Sequence, residues 1–262
     1  MSVSLIGTEK PIGEVIAATG EVFAVGGDEV ERDLAVGSFV YILDEIHVDE
    51  YGKLQIRFTD GSVVNLVSDT VYVIRGYRYQ KMLQKDQFSA ELIKGGFRSL
   101  TGSIAKKNPD EYKIKTPTAT IGVRGTIIDA LLTDKGLYVS CTKGLAVVMN
   151  SAGNFTIGPT ESRQYLLVGS ESARPEFFVT RPSEMNVRVF TSPPGAVNIE
   201  AAKIPSKTPE VKSAPAAEAP QERIGPIGPG STGGDTRSGA SSGEDLPIQQ
   251  KTGAGVYIQG GC

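Results

Sequence analysis

Between Gly13 and Gly169 the apolar residues recur at every second position in short runs, and Gly, Asn or Asp residues separate the runs. Leu54, Ile56 and Phe58 alternate with Gln55, Arg57 and Thr59, and Ala119, Ile121 and Val123 alternate with Thr118, Thr120 and Gly122. A period of two marks a strand with one buried face. Short strands recurring every 8–12 residues or so, with turn residues between them, predict an all-β fold. The expected architecture is an antiparallel β-sandwich or a solenoid-like wrap of short strands.

Taken in order, residues 13–25 (GEVIAATGEVFAV) read as a first hairpin around Gly20, and Gly26-Gly27-Asp28 as a turn. Residues 39–46 (FVYILDEI) form a near-continuous apolar run, short enough for one buried strand. Asp60-Gly61 lies between two alternating runs, which predicts a type I′ hairpin. Residues 87–93 read as a strand, although Tyr79, Met82, Leu83 and Gln87 also fit a helical period just before it. Residues 101–112 are polar and charged and read as a loop. Residues 136–141 (GLYVSC) and 145–149 (LAVVM) read as two strands pairing across Thr142-Lys143-Gly144.

Residues 114–130, IKTPTATIGVRGTIIDA, stand at the centre of this pattern. Proline at 117 removes a donor and pushes Thr116 into an extended conformation. Gly122 and Gly125 flank Val123-Arg124, where the backbone needs positive φ or the close approach of a neighbour. The apolar, β-branched run from Thr126 to Leu132 reads as the next strand after a short crossing. Arginine at 124 has two readings. In one its planar fork of five donors fixes the crossing by reaching a carboxylate, Asp129 or Asp60. In the other it meets a carboxylate on a glycan or peptide ligand.

From Thr191 the composition changes. This stretch holds nine of the fifteen prolines, twelve glycines, and Tyr257 as its sole aromatic residue. Such a segment buries too little apolar surface to offset its ordering entropy and is expected to be disordered. The expected organisation is an extension over 1–12, an all-β domain over 13–170, a connecting segment over 171–190 and a Pro/Gly/Ser-rich tail over 191–262. Val256, Tyr257 and Ile258 form an apolar-aromatic cluster near the end and are a candidate docking element for the edge of a sheet.

Composition limits the function classes. With 262 residues and 39% hydrophobic content, the chain is long enough for one substantial core. A formal net charge of −3 argues against a phosphate-binding surface, and the absence of tryptophan against a base-stacking platform. Residues 1–18 carry Lys10 and Pro11 amid short apolar runs, unlike a secretory signal, and no run of about 20 apolar residues occurs to span a membrane. His47 is the single histidine, so any catalytic triad would hang on it; it reads as an ordinary polar residue at a strand end. Asp44, Glu45, Asp49 and Glu50 offer oxygen ligands for a hard cation, but read as a solvated acidic rim. Gly-rich GPIGPGSTGG lacks the Gly-Lys-Ser/Thr ending of a phosphate loop. Cys141 reads as a small buried hydrophobe and Cys262 as an exposed thiol, so no disulfide, metal or cofactor is expected.

Four stretches in order carry a family resemblance: residues 58–66 (FTDGSVVNL), 88–101 (FSAELIKGGFRSLT), the TP-x-A-x-IGVRGT segment of 116–126, and the closing strands of 144–168. Together they resemble FecR-type domains of bacterial envelope proteins, over about Gly13 to Gly169. The resemblance implies that Thr116, Pro117, Gly122, Arg124, Gly125, Thr126, Asp60 and Gly61 are signature positions, structural or ligand-binding. It implies a non-enzymatic binding or structural scaffold outside the cytoplasm, in the periplasm or at the cell surface, whose partner is a protein or a cell-wall glycan. Anti-sigma regulators that relay iron-siderophore signals are characterised members. This chain departs from them in lacking their N-terminal helical domain and membrane segment, which leaves signal relay as one alternative. An exported effector or adhesin-like protein with a tail-borne signal is the other, and the cytoplasm the alternative location.

Overall fold

The structure, a computed structural model, describes residues 10–80, 86–161, 163–186 and 190–199. Its described strands are β1 (Gly13–Thr19), β2 (Val22–Val25), β3 (Glu31–Asp33), β4 (Phe39–Val40) and β5 (Glu45–Val48). There follow β6 (Lys53–Phe58), β7 (Val63–Leu66), β8 (Thr70–Arg78), β9 (Gln87–Lys94), β10 (Gly96–Leu100) and β11 (Tyr112–Lys115). The chain continues through β12 (Thr120–Thr133), β13 (Gly136–Asn150), β14 (Gly153–Ile157), β15 (Tyr165–Val168) and β16 (Glu176–Phe178).

These sixteen strands form one curled sheet, as the all-β expectation requires, in the order β3-β2-β5-β8-β9-β11-β12-β10-β7-β6-β1-β4, with β13 to β16 branching from β12. All pairs are antiparallel except β9 with β11, which run parallel (Ile114 opposite Ala90). The two ends of the path meet at Arg32. From β3 it donates to the Phe39 carbonyl of β4 at 3.3 Å and pairs with the buried Asp44. Closing the path this way satisfies polar groups that an open edge would leave bare.

The core follows from the alternation read in the sequence. Leu54, Ile56 and Phe58 of β6 are buried, as are Ala119, Ile121 and Val123 along the central segment. Aromatic rings fill the middle: Phe88 stacks on Tyr112 with centroids 4.4 Å apart and meets Phe58 edge-on at 5.2 Å. Pairs of this kind contribute about 0.5–1.5 kcal/mol each beyond their buried area.

Several expected elements fold differently. Residues 13–25 are not a hairpin: β1 pairs with β4 and β6, while β2 pairs with β3 and β5. The run 39–46 splits into β4 and β5 because Leu43 turns the chain with φ 69°. Within the expected loop 101–112, Ser103–Lys107 is a short helix (α1) and Pro109–Glu111 a 3-10 turn. Helix α1 buries Ile104 and Ala105, a local gain that its polar neighbours hide in the sequence. The strand expected over 87–93 is present as β9.

At Asp60-Gly61 only Gly61 has positive φ, 85°, so the hairpin is not type I′. The Gly61 N–H donates to the Phe58 carbonyl at 3.0 Å and the Phe58 N–H to the Ser62 carbonyl at 2.9 Å, the pattern of a tight turn followed by a glycine bulge. Asp60 is freed for another task. Its Oδ2 accepts from the Ile104 N–H (3.2 Å) and its carbonyl from the Ser103 N–H (2.9 Å), which ties the hairpin to the start of α1.

The C-terminal part of the domain also differs. Beyond residue 170, β16 and a 3-10 turn at Ser183–Met185 pack on the sheet. The expected tail begins at 191, yet 191–199 lie against the domain: Ile199 is buried with Val63, Leu100 and Ile127. Val197 exchanges two hydrogen bonds with the Gln55 amide, at 2.7 and 2.9 Å. The expected disorder of 201–262, the docking cluster Val256, Tyr257 and Ile258, the Gly-rich stretch and Cys262 lie outside the described residues.

Candidate functional site

Residues 120–133 do not make two strands joined at a crossing, and 136–149 do not make a hairpin. Both are single long strands, of 14 and 15 residues, paired with each other from Thr120↔Met149 to Thr133↔Gly136. Their register shifts between Arg124 and Ile128. Gly125 (φ 61°) and Gly144 (φ 78°) face each other there, and a Cβ on Gly144 would stand 2.3 Å from the Gly125 carbonyl oxygen. The ribbon therefore carries a bulge on both strands, which an L side chain at 144 would disrupt. Thr116 and Pro117 form the turn before it, where the Thr116 hydroxyl donates to the Ala119 carbonyl at 2.8 Å and accepts from the Ala119 N–H at 3.1 Å.

The bulge decides where Arg124 goes. Val123 and Thr126 are buried on either side of it, and the Thr126 N–H donates to the Thr101 hydroxyl at 2.8 Å. Arg124 is exposed and, among the described residues, has neither a hydrogen-bond nor an ion-pair partner. The partners expected for it are engaged elsewhere: Asp60 with α1, and Asp129 with a different arginine.

That arginine is Arg98, whose Nε and Nη2 donate to the two carboxylate oxygens of Asp129 at 2.6 and 3.0 Å. Ser140 Oγ and Arg181 Nη2 also donate to Asp129 Oδ2, each at 3.2 Å. The pair belongs to a polar row that crosses five strands in register: Gln55, Asn65, Arg98, Asp129 and Ser140. Gln55 Nε2 donates to Asn65 Oδ1 at 2.6 Å. All five are buried, and residues 181 and 192 reach over them: Arg181 to Asp129 and Ser192 to Asn65. Sequence reasoning missed this row, because each member reads as an outward polar residue until the strap covers it.

The open face around Arg124 carries two further cations that the sequence shows plainly. Lys113 and Lys115 alternate with buried Tyr112 and Ile114 on β11, and are exposed. The alternation itself points them outward. Nearby, burial holds the Lys106 ammonium below its usual range, against the opposing pull of the Asp60 carboxylate.

The other candidates resolve as structure. His47 stacks on Phe23 with centroids 4.7 Å apart and pairs with Glu45 at 3.0 Å. Asp44 is taken by Arg32 and the Tyr41 N–H, and among the described residues no three His, Cys, Asp or Glu groups gather to hold a metal. Burial pushes the Cys141 thiol up to about 12, and it donates to the Lys143 carbonyl. An open cleft of 370 Å³ lies beside Ile12, Ile42 and Tyr77, whose hydroxyl is engaged by Thr59 and by the Asp60 N–H.

Sheet and bulge define an all-β domain in which Arg124 lies exposed on the outer face of β12. Residues 44–147 match the family model of the FecR protein, so this stretch of the chain carries a FecR domain. Two crystal structures of a "putative anti-sigma factor" from Parabacteroides distasonis ATCC 8503 are similar to it. One is 19% identical with a TM-score of 0.42, covering 51% of this chain and 58% of that one. The other is 19% identical with a TM-score of 0.43, covering 52% and 60%. The chain thus spans less than two thirds of the length of these chains. No curated protein matches it.

Proposed function

We propose that the domain is a non-enzymatic binding module of the bacterial envelope or cell surface, and that its contact surface is the open sheet face around Arg124. One observation carries this reading. Arg124 is exposed and, among the described residues, unpartnered, while the backbone on both sides of it is fixed by buried neighbours and a glycine-dependent bulge. An arginine that stabilised the crossing would reach a carboxylate; Asp129 and Asp60 are instead held by other groups. A guanidinium carried on a fixed backbone can meet a carboxylate of a partner through two parallel N–H···O bonds. The match of residues 44–147 to the FecR family supports a regulatory role over a catalytic one. Among the described residues no helix is long and apolar enough to cross a membrane.

The test places a photo-crosslinking residue at Thr120, on this face, and at the exposed Tyr51, in the turn between β5 and β6, in the full chain in its native cell. Discrete protein adducts from position 120 that are lost in an Arg124→Ala background are expected. Adducts of equal yield from both positions, or unaffected by Arg124→Ala, would reject this surface.

A further inference from the structure

We infer that the face formed by β11, β12 and β13 receives an extended protein segment that carries carboxylates at alternate positions. The inference rests on the reading of Arg124 as a contact residue and names what it contacts.

The register supplies the spacing. Lys115 lies opposite Thr120, Lys113 opposite Gly122, and Arg124 two residues further along β12. Side chains on one face of a strand repeat every second residue, a step of about 6.6–6.8 Å. The three cations therefore stand at successive steps along one strand direction. Alternate side chains of an extended peptide repeat at the same step. On the other side of β12, Met149, Val147 and Leu145 lie opposite Thr120, Gly122 and Arg124, each half-buried. Gly122 has no side chain and is buried, with Met149 Cε 3.5 Å from where its Cβ would stand. A segment laid along β12 would set carboxylates against the cationic row and its remaining side chains against the apolar row.

Charge separates this occupant from others. The chain carries a net −3, so a face with three exposed cations reverses the overall sign. Glu91 of β9 lies opposite Lys115 but is engaged by Arg75 at 2.8 Å. Glu111, in the 3-10 turn before β11, makes no ion pair with Arg124 among the described residues. Nucleic acid calls for a longer basic footprint, and no aromatic ring stands on these three strands' open side to stack on a base. A lipid surface calls for exposed large apolar side chains, whereas this row is half-buried.

The experiment uses the isotope-labelled full chain and two hexapeptides of equal charge, Glu-Thr-Glu-Thr-Glu-Thr and Glu-Glu-Glu-Thr-Thr-Thr. With the alternating peptide, amide shifts are expected at Lys113, Lys115, Gly122 and Arg124, with binding about tenfold tighter than for the block peptide. The Lys113→Glu/Lys115→Glu variant, folded by its spectrum, should lose them. Equal binding of both peptides, shifts on another face, or preference for phosphatidylglycerol vesicles or oligothymidylate would overturn the inference. Should position 120 crosslink a protein while neither peptide binds, the contact surface stands and the acidic alternating segment falls.

Discussion

Asp129 lies opposite Arg98 on the neighbouring strand and accepts from both its Nε and its Nη2, with both side chains buried. Removing Arg98 leaves the buried Asp129 carboxylate with only the partly exposed Arg181 as a cation, at a cost toward the lower end of the about 3–5 kcal/mol of a broken buried pair. Arg98→Ala should therefore lower the unfolding midpoint sharply in a denaturant titration. Arg124→Ala, on an exposed side chain, should stay within about 0.5 kcal/mol of the parent. The reverse ranking would return Arg124 to a structural role.

Alanine substitutions at the two bulge glycines should differ in effect. At Gly125 (φ 61°) nothing lies within 4 Å of the added Cβ, so the cost is the left-handed backbone alone, about 1–2 kcal/mol. At Gly144 (φ 78°) the Cβ also meets the Gly125 carbonyl oxygen at 2.3 Å, and the ribbon must shift. Gly144→Ala should be the more destabilising by thermal melting; equal losses would mean that the double bulge is not required.

Alkaline pH should unfold the domain from about pH 9 upward. Burial raises the Cys141 thiol from 9.0 to about 12 in the folded state, and burial also raises Tyr72, Tyr77 and Tyr112 above 10.0. In that window the unfolded chain releases protons that the folded chain keeps, so this stability is full below the unfolded pKa and is lost as pH rises toward the folded one. Cys141→Ala should flatten the slope of unfolding free energy between pH 9 and 10. In a Cys262→Ser chain, a thiol reagent at pH 8 should label nothing until denaturant is added.

The strap over the polar row should open without global unfolding. Gln55→Ala removes the amide that meets both the N–H and the carbonyl of Val197, leaving groups whose loss costs about 1–3 kcal/mol if they stay buried. Hydrogen exchange at Val197 should accelerate while amides of β12 stay protected. Limited proteolysis of the parent should give a core ending beyond Ile199 and not at 170.

Acid should loosen the same strap at its other anchor. Lys135 donates to Glu184 and holds its carboxyl down to about 2 from 4.5. The contact contributes above the unfolded pKa and fades as pH falls from 4.5 toward 2. Exchange around Met185 should quicken over that range, and Glu184→Gln should remove the pH dependence.

Alternation by itself determined the all-β class and the buried faces of β6, β9 and the central segment. Those features depend on which side of a strand meets water, and a period of two records that directly. The glycine at 125 was legible as a backbone requirement and Gly144 only as part of a turn, but not that the two belong to one bulge shared by two long strands. Whether 136–149 folds back on itself or runs straight along β12 depends on a pairing between distant residues, which local composition does not encode. Pairing likewise decided that Asp129 goes to Arg98, because β10 and not the bulge lies beside it in the sheet. Once that carboxylate was taken, Arg124 was left facing outward, and the site became a surface through tertiary structure alone.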